Sequence, residues 1–389
     1  MTDDEAAMDI ASLRARGTAK WSRYSHEVLG AWVAEMDFPL DARIKAALVE
    51  AIDRNATGYP VPDIGTQLPA AIQAWIAKQH NLTIAPDQVR IIPDILHGMM
   101  AGIEAFSPPG SPVIVTTPSY PPFFEVLRAV NRPMIDVPML FDESGRARYD
   151  INALDQAFSA GAKTLILCNP YNPLGRVFSK DELQEVANVV EMHRGRVIAD
   201  EVHSPLVYPG YDFTPYAKIS EESFAHSITL FSASKGWNIP GLKCASALIT
   251  NPDDIESWDN LSRLKTHGAS ILGIIANTTA LTDGQPWLDN IINRLDQNRL
   301  LLRDLLSEHL PNVKYWIPEG TYLAWLDCTS LKVENPMEFF LERAHVAVND
   351  GQTFGHLGMG FVRLNFATSS AILTRIVKQM GAAVGDLSG

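Results

Sequence analysis

Cysteine is scarce. Cys168, Cys244 and Cys328 stand far apart in a chain of 389 residues, and none forms a CxxC pair. That spacing argues against a thiolate zinc site or a disulfide framework. Each lies in an apolar run, where a thiol serves as a small hydrophobe. Basic residues are in deficit as well: 32 Lys and Arg face 45 Asp and Glu, for a net charge of −13. Nucleic-acid binding draws most of its affinity from cations on phosphates, so this balance argues against such a partner. No run approaches the roughly 18–20 apolar residues of a membrane span. The opening MTDDEAAMD lacks the apolar core of a secretory signal, and the expectation is a cytoplasmic protein away from membranes. No internal repeat or low-complexity tract occurs, and His80, His97, His193 and His356 show no metal-ligand spacing.

What is present reads as a folded enzyme. Apolar residues make up 46% and charged residues 20%, the balance of packed domains rather than of disorder. The middle third alternates β-rich runs with helical patterns, which predicts an α/β fold with a mostly parallel sheet and helices on both faces. The runs are PVIVTTP (112–118), KTLILCNP (163–170), GRVIADE (195–201), SITLFSAS (227–234) and CASALIT (244–250). Between them lie PPFFEVLRAV and SKDELQEVANVVEMH, the second opening on a capping box of Ser179 and Glu182. Beyond residue 285 comes the long amphipathic segment WLDNIINRLDQNRLLLRDLLSEHL. Short strands follow around Tyr315, in GTYLAWLDC and in FVRLNF, which predicts a smaller α+β domain. The expected division is a segment 1–44 packing on the small domain, a large domain 45–284 and a small domain 285–389. GHLGMG (355–360) precedes a strand rather than a helix, the wrong setting for a dinucleotide loop.

In open parallel sheets, ligands bind beyond the carboxyl ends of the strands. Here those ends carry Pro118-Ser119-Tyr120, Asn169 to Gly175, Asp200 to His203, and Ser232 to Lys235. An aromatic ring, an amide, a carboxylate and a lysine would meet on one rim. That set suits pyridoxal 5′-phosphate, which needs a lysine for its Schiff base and an acid for its ring nitrogen. Lys235 stands just past an apolar strand, where desolvation and a cationic neighbour would lower its pKa. Asp200 would keep the ring nitrogen protonated, Asn172 would face the phenolate, and Tyr120 would stack. Ser232 and Lys243 would reach the phosphate. Read singly, Lys243 is equally a surface lysine, His203 a core histidine, and Tyr59 a packed aromatic.

The order and spacing of these elements resemble fold-type I pyridoxal-phosphate enzymes of the class I/II aminotransferase superfamily. Within it the chain is similar to the cystathionine β-lyase or C–S lyase group typified by MalY and PatB. Trp32 to Phe38 (WVAEMDF) resembles that group's WVADMDF, and Gly58-Tyr59 its YGY element. Ala105-Phe106-Ser107 through Tyr120 to Phe123 resembles AF…TPVYPPF. Asn169 to Val177 resembles CNPHNPTGRV, Asp200 to His203 resembles SDEIH, Ser234 to Leu242 resembles SKTFNIAGL, and Gly360 to Ser369 resembles GFVRLNIACP.

The resemblance implies roles residue by residue. Lys235 would be the catalytic Schiff-base lysine and general base. Asp200, Asn172, Tyr120, Ser232, Lys243 and His203 would hold the cofactor, with main-chain contacts to its phosphate at Ile95 and Leu96. Arg363 would grip the substrate carboxylate, with Ala34 and Asn172 beside it. Tyr59 would reach the neighbour's phosphate across a homodimer with shared sites. Two positions depart from the pattern. Asp94 stands where the group has glycine, and an acid pointing inward there would repel phosphate. Glu35 replaces an aspartate. The implied reaction is α,β-elimination of cystathionine or a related cysteine S-conjugate to a thiol, pyruvate and ammonia. The alternative inside the superfamily is an aminotransferase, and outside it a binding protein that keeps the fold.

Overall fold

A computed structural model describes residues 8–61 and 67–387. The chain divides into two compact units, one of Leu40–Pro170 and Val177–Leu288, the other of residues up to Pro39, Tyr171–Arg176 and Asp289 onward.

The first unit is built on a seven-stranded sheet: β1 (Val89–Ile92), β2 (Val113–Thr117), β3 (Met134–Pro138), β4 (Thr164–Cys168), β5 (Arg196–Asp200), β6 (Ser227–Phe231) and β7 (Ala245–Ile249). Their order across the sheet is β1-β7-β6-β5-β4-β2-β3. The pairs from β6 through β5, β4 and β2 to β3 are parallel, as the alternating pattern predicts. Residues in β2, β4, β5 and β6 are almost all buried, in keeping with their unbroken apolar runs.

One of the five runs behaves differently. β7 pairs antiparallel with both β6 and β1. A parallel return needs a crossover, usually helical, and residues 232–244 supply only turns and one 3₁₀ turn at Pro240–Leu242. The edge strands β1 and β3 carry no run that announces them. β3 is mostly exposed or half-buried, and Arg90 in β1 leaves the sheet to pair with Asp259 at 2.7 Å.

Helix α1 (Ile95–Phe106) follows β1, α2 (Pro121–Ala129) follows β2, and α3 (Lys180–Met192) lies between β4 and β5. The α3 capping box forms as the Ser179/Glu182 spacing predicts: Ser179 N–H donates to Glu182 Oε2 at 2.9 Å, and Glu182 N–H to Ser179 Oγ at 3.2 Å. α1 sits unusually close to the sheet. A Cβ at Gly98 would strike Ile92 Cδ1 and come within 2.8 Å of Leu230 Cδ2. Glycine there lets α1 settle onto β1 and β6, which fixes where its N-terminus emerges.

The second unit holds an antiparallel sheet in the order Lys314–Tyr315, β8 (Leu323–Asp327), β9 (Phe361–Asn365), Asn349–Asp350. Its longest helices are α4 (Gln285–His309), which enters it at Asp289, and α5 (Ser370–Gly385). The N-terminal segment joins it: Leu29–Gly30 pairs in parallel with Val346–Ala347. A buried ion pair anchors that segment. Lys20 Nζ lies 3.1 Å from Asp37 Oδ1, with side-chain exposures of 0% and 1%. Lys20 also donates to the carbonyls of Glu35 and Ala367, and Trp21 Nε1 donates to Asp37 at 2.7 Å. Among the described residues no helix is long and apolar enough to cross a membrane.

Candidate active site

Because β7 opposes both its neighbours, β1 runs the same way as β6. The carboxyl ends of β1, β2, β4, β5 and β6 therefore share one rim, together with the start of β7. Asp200 closes β5, and its Oδ1 accepts the Val202 N–H at 3.1 Å. Burial pushes its pKa up to about 6, while the Val202 N–H and the charge of Lys235 pull the other way. Lys235 thus lies within electrostatic reach of Asp200, and an approaching cation would hold that carboxyl ionised. His203 is buried three residues on. Tyr120 precedes α2 with its ring half-buried, meeting Phe123 edge-on at 5.5 Å.

Where β1 ends, Asp94 caps α1 by accepting the His97 N–H at 3.0 Å. The N–H groups of Ile95 and Leu96, first and second in the helix, have no acceptor among the described residues. Lys243, just before β7, reaches Asp94 Oδ2 at 2.8 Å. Two outward N–H groups at a helix start beside a lysine can accept an anion such as a phosphate. Ser232 Oγ donates to the Cys244 carbonyl at 2.7 Å and accepts the Ser234 N–H at 3.0 Å, so its proton is engaged on the strand. Asn277 braces the same turn by accepting the Ala233 N–H at 2.9 Å.

Tyr59 stands apart from these groups. It is 90% exposed, at the edge of a groove of about 470 Å³ that also involves His267, its nearest ring partner at 6.3 Å.

The second unit holds the remaining expected residues, among them Arg363, which projects from β9 and is buried. Its Nη1 donates to Asn172 Oδ1 at 2.9 Å. Its Nη2 donates to Asn349 Oδ1 at 2.6 Å and to the Trp32 carbonyl at 3.2 Å. The guanidinium also lies 5.0 Å from the Phe354 ring centroid. These contacts hold the guanidinium in one orientation, and a guanidinium so held can pair with a planar carboxylate. Ala34 offers its carbonyl to Tyr322 Oη at 3.0 Å.

The sequence reading passed over two groups and left the part played by a third open. Asn349 is brought to Arg363 by strand register alone, and no local signal marks it. Asp94, an acid that would repel phosphate if it pointed inward, is both a helix cap and an ion-pair partner. Glu201 sits in the Asp200-Glu201 dipeptide, which could have flagged it. It is buried, and its Oε1 accepts the Tyr216 N–H at 2.7 Å. Burial pushes its pKa up to about 8, the Tyr216 N–H opposes the rise, and Asp200 adds to it.

Residues 33–380 match the family described as Aminotransferase class I and II. The chain is 37% identical to "Cystathionine beta-lyase" of Corynebacterium glutamicum, over 97% of this chain and 99% of the other. It is 31% identical to "Cystathionine beta-lyase PatB" of Bacillus subtilis, over 94% and 96%. Among solved structures it resembles cystalysin from Treponema denticola, which contains a pyridoxal 5′-phosphate cofactor: TM-score 0.92, 28% identity, 98% of each chain covered.

Proposed function

The chain belongs to the class I and II aminotransferase family, and within it we propose a pyridoxal-phosphate-dependent carbon–sulfur β-lyase that cleaves cystathionine or related cysteine S-conjugates. Cystathionine and water give homocysteine, pyruvate and ammonia. What carries this reading is the near-full-length likeness to the Corynebacterium glutamicum lyase, joined to a lysine within reach of a buried aspartate on the sheet rim.

The donor set fits the cofactor. The unclaimed N–H groups of Ile95 and Leu96 would take its phosphate, Asp200 its ring nitrogen, Asn172 its phenolate oxygen, and Tyr120 a ring face. Ser232, Lys243 and His203 would complete its surroundings. Bound there, pyridoxal phosphate supplies an electron sink that makes the substrate Cα–H acidic and the Cβ–S bond breakable. Lys235 Nζ would hold the cofactor and would take the substrate Cα proton as general base. Arg363, braced by Asn172 and Asn349, binds the substrate carboxylate, with Ala34 beside it. Burial keeps water from competing for these hydrogen bonds.

Purified protein given cystathionine should release pyruvate and free thiol in equal amounts with no 2-oxo acid added. Transfer of the amino group to a 2-oxo acid without pyruvate would overturn the lyase reading in favour of an aminotransferase. Lys235→Ala should lower kcat by about 10²–10⁴-fold or more.

The active unit we propose is a cytoplasmic homodimer serving methionine biosynthesis, with Tyr59 reaching the partner's phosphate. Supporting the dimer, Tyr59 and Val61 line one groove in the first unit and are 90% and 58% exposed. Sedimentation should give twice the chain mass. Hybrids of Lys235→Ala with an impaired Tyr59 variant should regain activity above the summed parents, and failure with hybrids present removes Tyr59 from a shared site.

A further inference from the structure

We propose that Asp94 and Lys243 form a charge-compensated positioning pair at the phosphate end of the cofactor site, in which Lys243 exists chiefly to cancel Asp94. The inference rests on the cofactor reading above. It begins with register. Ala245 of β7 lies opposite Ile92 of β1, so residue 243, two before the one, faces residue 94, two after the other. Lys243 takes a left-handed backbone, φ 50°, unusual for a lysine. Its carbonyl accepts the Ser270 N–H at 2.9 Å, which helps to hold that turn.

Asp94 uses both oxygens. Oδ2 meets Lys243 Nζ at 2.8 Å, while Oδ1 accepts the His97 N–H at 3.0 Å and lies 2.8 Å from His97 Nδ1. Burial opposes its ionisation, but these hydrogen bonds outweigh it and hold the carboxyl down at about 2. The acid is therefore charged whenever the protein works. By capping the third N–H of α1 it leaves the first two, on Ile95 and Leu96, for an anion. The same cap puts a full negative charge within one helical turn of that anion, where unlike a neutral cap it would repel a phosphate. Lys243 is 61% exposed, and nothing in packing requires it. Its place against Asp94 removes the repulsion without taking the cap away.

The test is a double-mutant cycle on cofactor affinity, read by absorbance and by quenching of tryptophan fluorescence in apoprotein titrated with pyridoxal phosphate. Lys243→Met should weaken binding roughly 10- to 100-fold, because Asp94 is left uncompensated beside the anion. Asp94→Asn keeps a good cap and should bind as tightly as the parent or more tightly. The combination Asp94→Asn with Lys243→Met should return to within about threefold of the parent, since like-with-like removal restores neutrality. Inorganic phosphate, as competitor, should follow the same order. Thermal melts of each apoprotein separate misfolding from weakened binding. If Lys243→Met is weak and Asp94→Asn gives no rescue, Lys243 is an independent phosphate contact and the pairing is overturned. If Lys243→Met binds normally, the pair is a surface contact and the inference is again overturned. Borohydride trapping of the parent protein keeps the two levels apart: label on Lys235 sustains the cofactor reading whatever the cycle gives, and its absence overturns both.

Discussion

Two of the Lys–Asp pairs among the described residues, Lys20–Asp37 at 3.1 Å and Lys243–Asp94 at 2.8 Å, differ little in length and greatly in exposure. The first is sealed inside the second unit, where burial pulls the Lys20 ammonium pKa down and Asp37 opposes the fall. Its charges cannot hydrate, so each is committed to the other and to the carbonyls around it. The second stands at the rim of the parallel sheet, its lysine 61% exposed and its aspartate half-buried. There the pair adds little to folding, because solvent screens it and long side chains lose freedom in making it. Bond length therefore does not reveal what an ion pair does. What surrounds it decides whether it holds the fold or serves a ligand.

Breaking the sealed pair should have the largest effect. Asp37→Ala strands Lys20 and also leaves Trp21 Nε1 without its acceptor, so the urea midpoint should fall by the equivalent of about 3–5 kcal/mol. A loss below about 1 kcal/mol would erase the contrast. Next comes the packing that carries the exposed pair. Gly98→Ala pushes α1 away from Ile92 and Leu230, which should cost about 1–3 kcal/mol in stability. It should also weaken cofactor binding, because the Ile95 and Leu96 N–H groups move with the helix.

Glu201 supplies a third case, a buried acid with no cation among its hydrogen-bond partners. With a folded pKa of about 8 against an ordinary 4.5, the native state holds the proton more tightly than the unfolded state. The stability this contributes is fully present below about 4.5 and is lost as pH rises through about 8. Apoprotein denatured in guanidinium at pH 6 and pH 9 should therefore weaken over that span, and Glu201→Gln should weaken less. Equal slopes in the two proteins would show that Glu201 is ionised throughout. The smallest effect is reserved for the exposed pair: Asp94→Asn should shift apoprotein stability by less than about 1 kcal/mol, with its consequence confined to phosphate affinity.

Much of the fold was readable because its signals are local. Continuous apolar runs such as LILC named the buried strands, and the Ser179/Glu182 spacing named a helix start four residues wide. β1 and β3 escaped because edge strands need no such runs, and Arg90 and Asp136 interrupt them. The candidate residues at the strand ends were legible for a related reason: in a parallel sheet, chain order already says which end of each strand faces the ligand.

Sequence alone thus determined the α/β class, the family, and the residue types gathered at the strand ends. Tertiary structure decided what those residues touch. The reversal of β7, forced by a connection too short for a crossover, brings Lys243 to Asp94 across 149 intervening steps of chain. Strand pairing sets Asn349 against Arg363, and burial raises Asp200 and Glu201 while hydrogen bonding lowers Asp94. A sequence lists charges, but their partners and their hydration follow from register and depth, which exist only once the chain has folded.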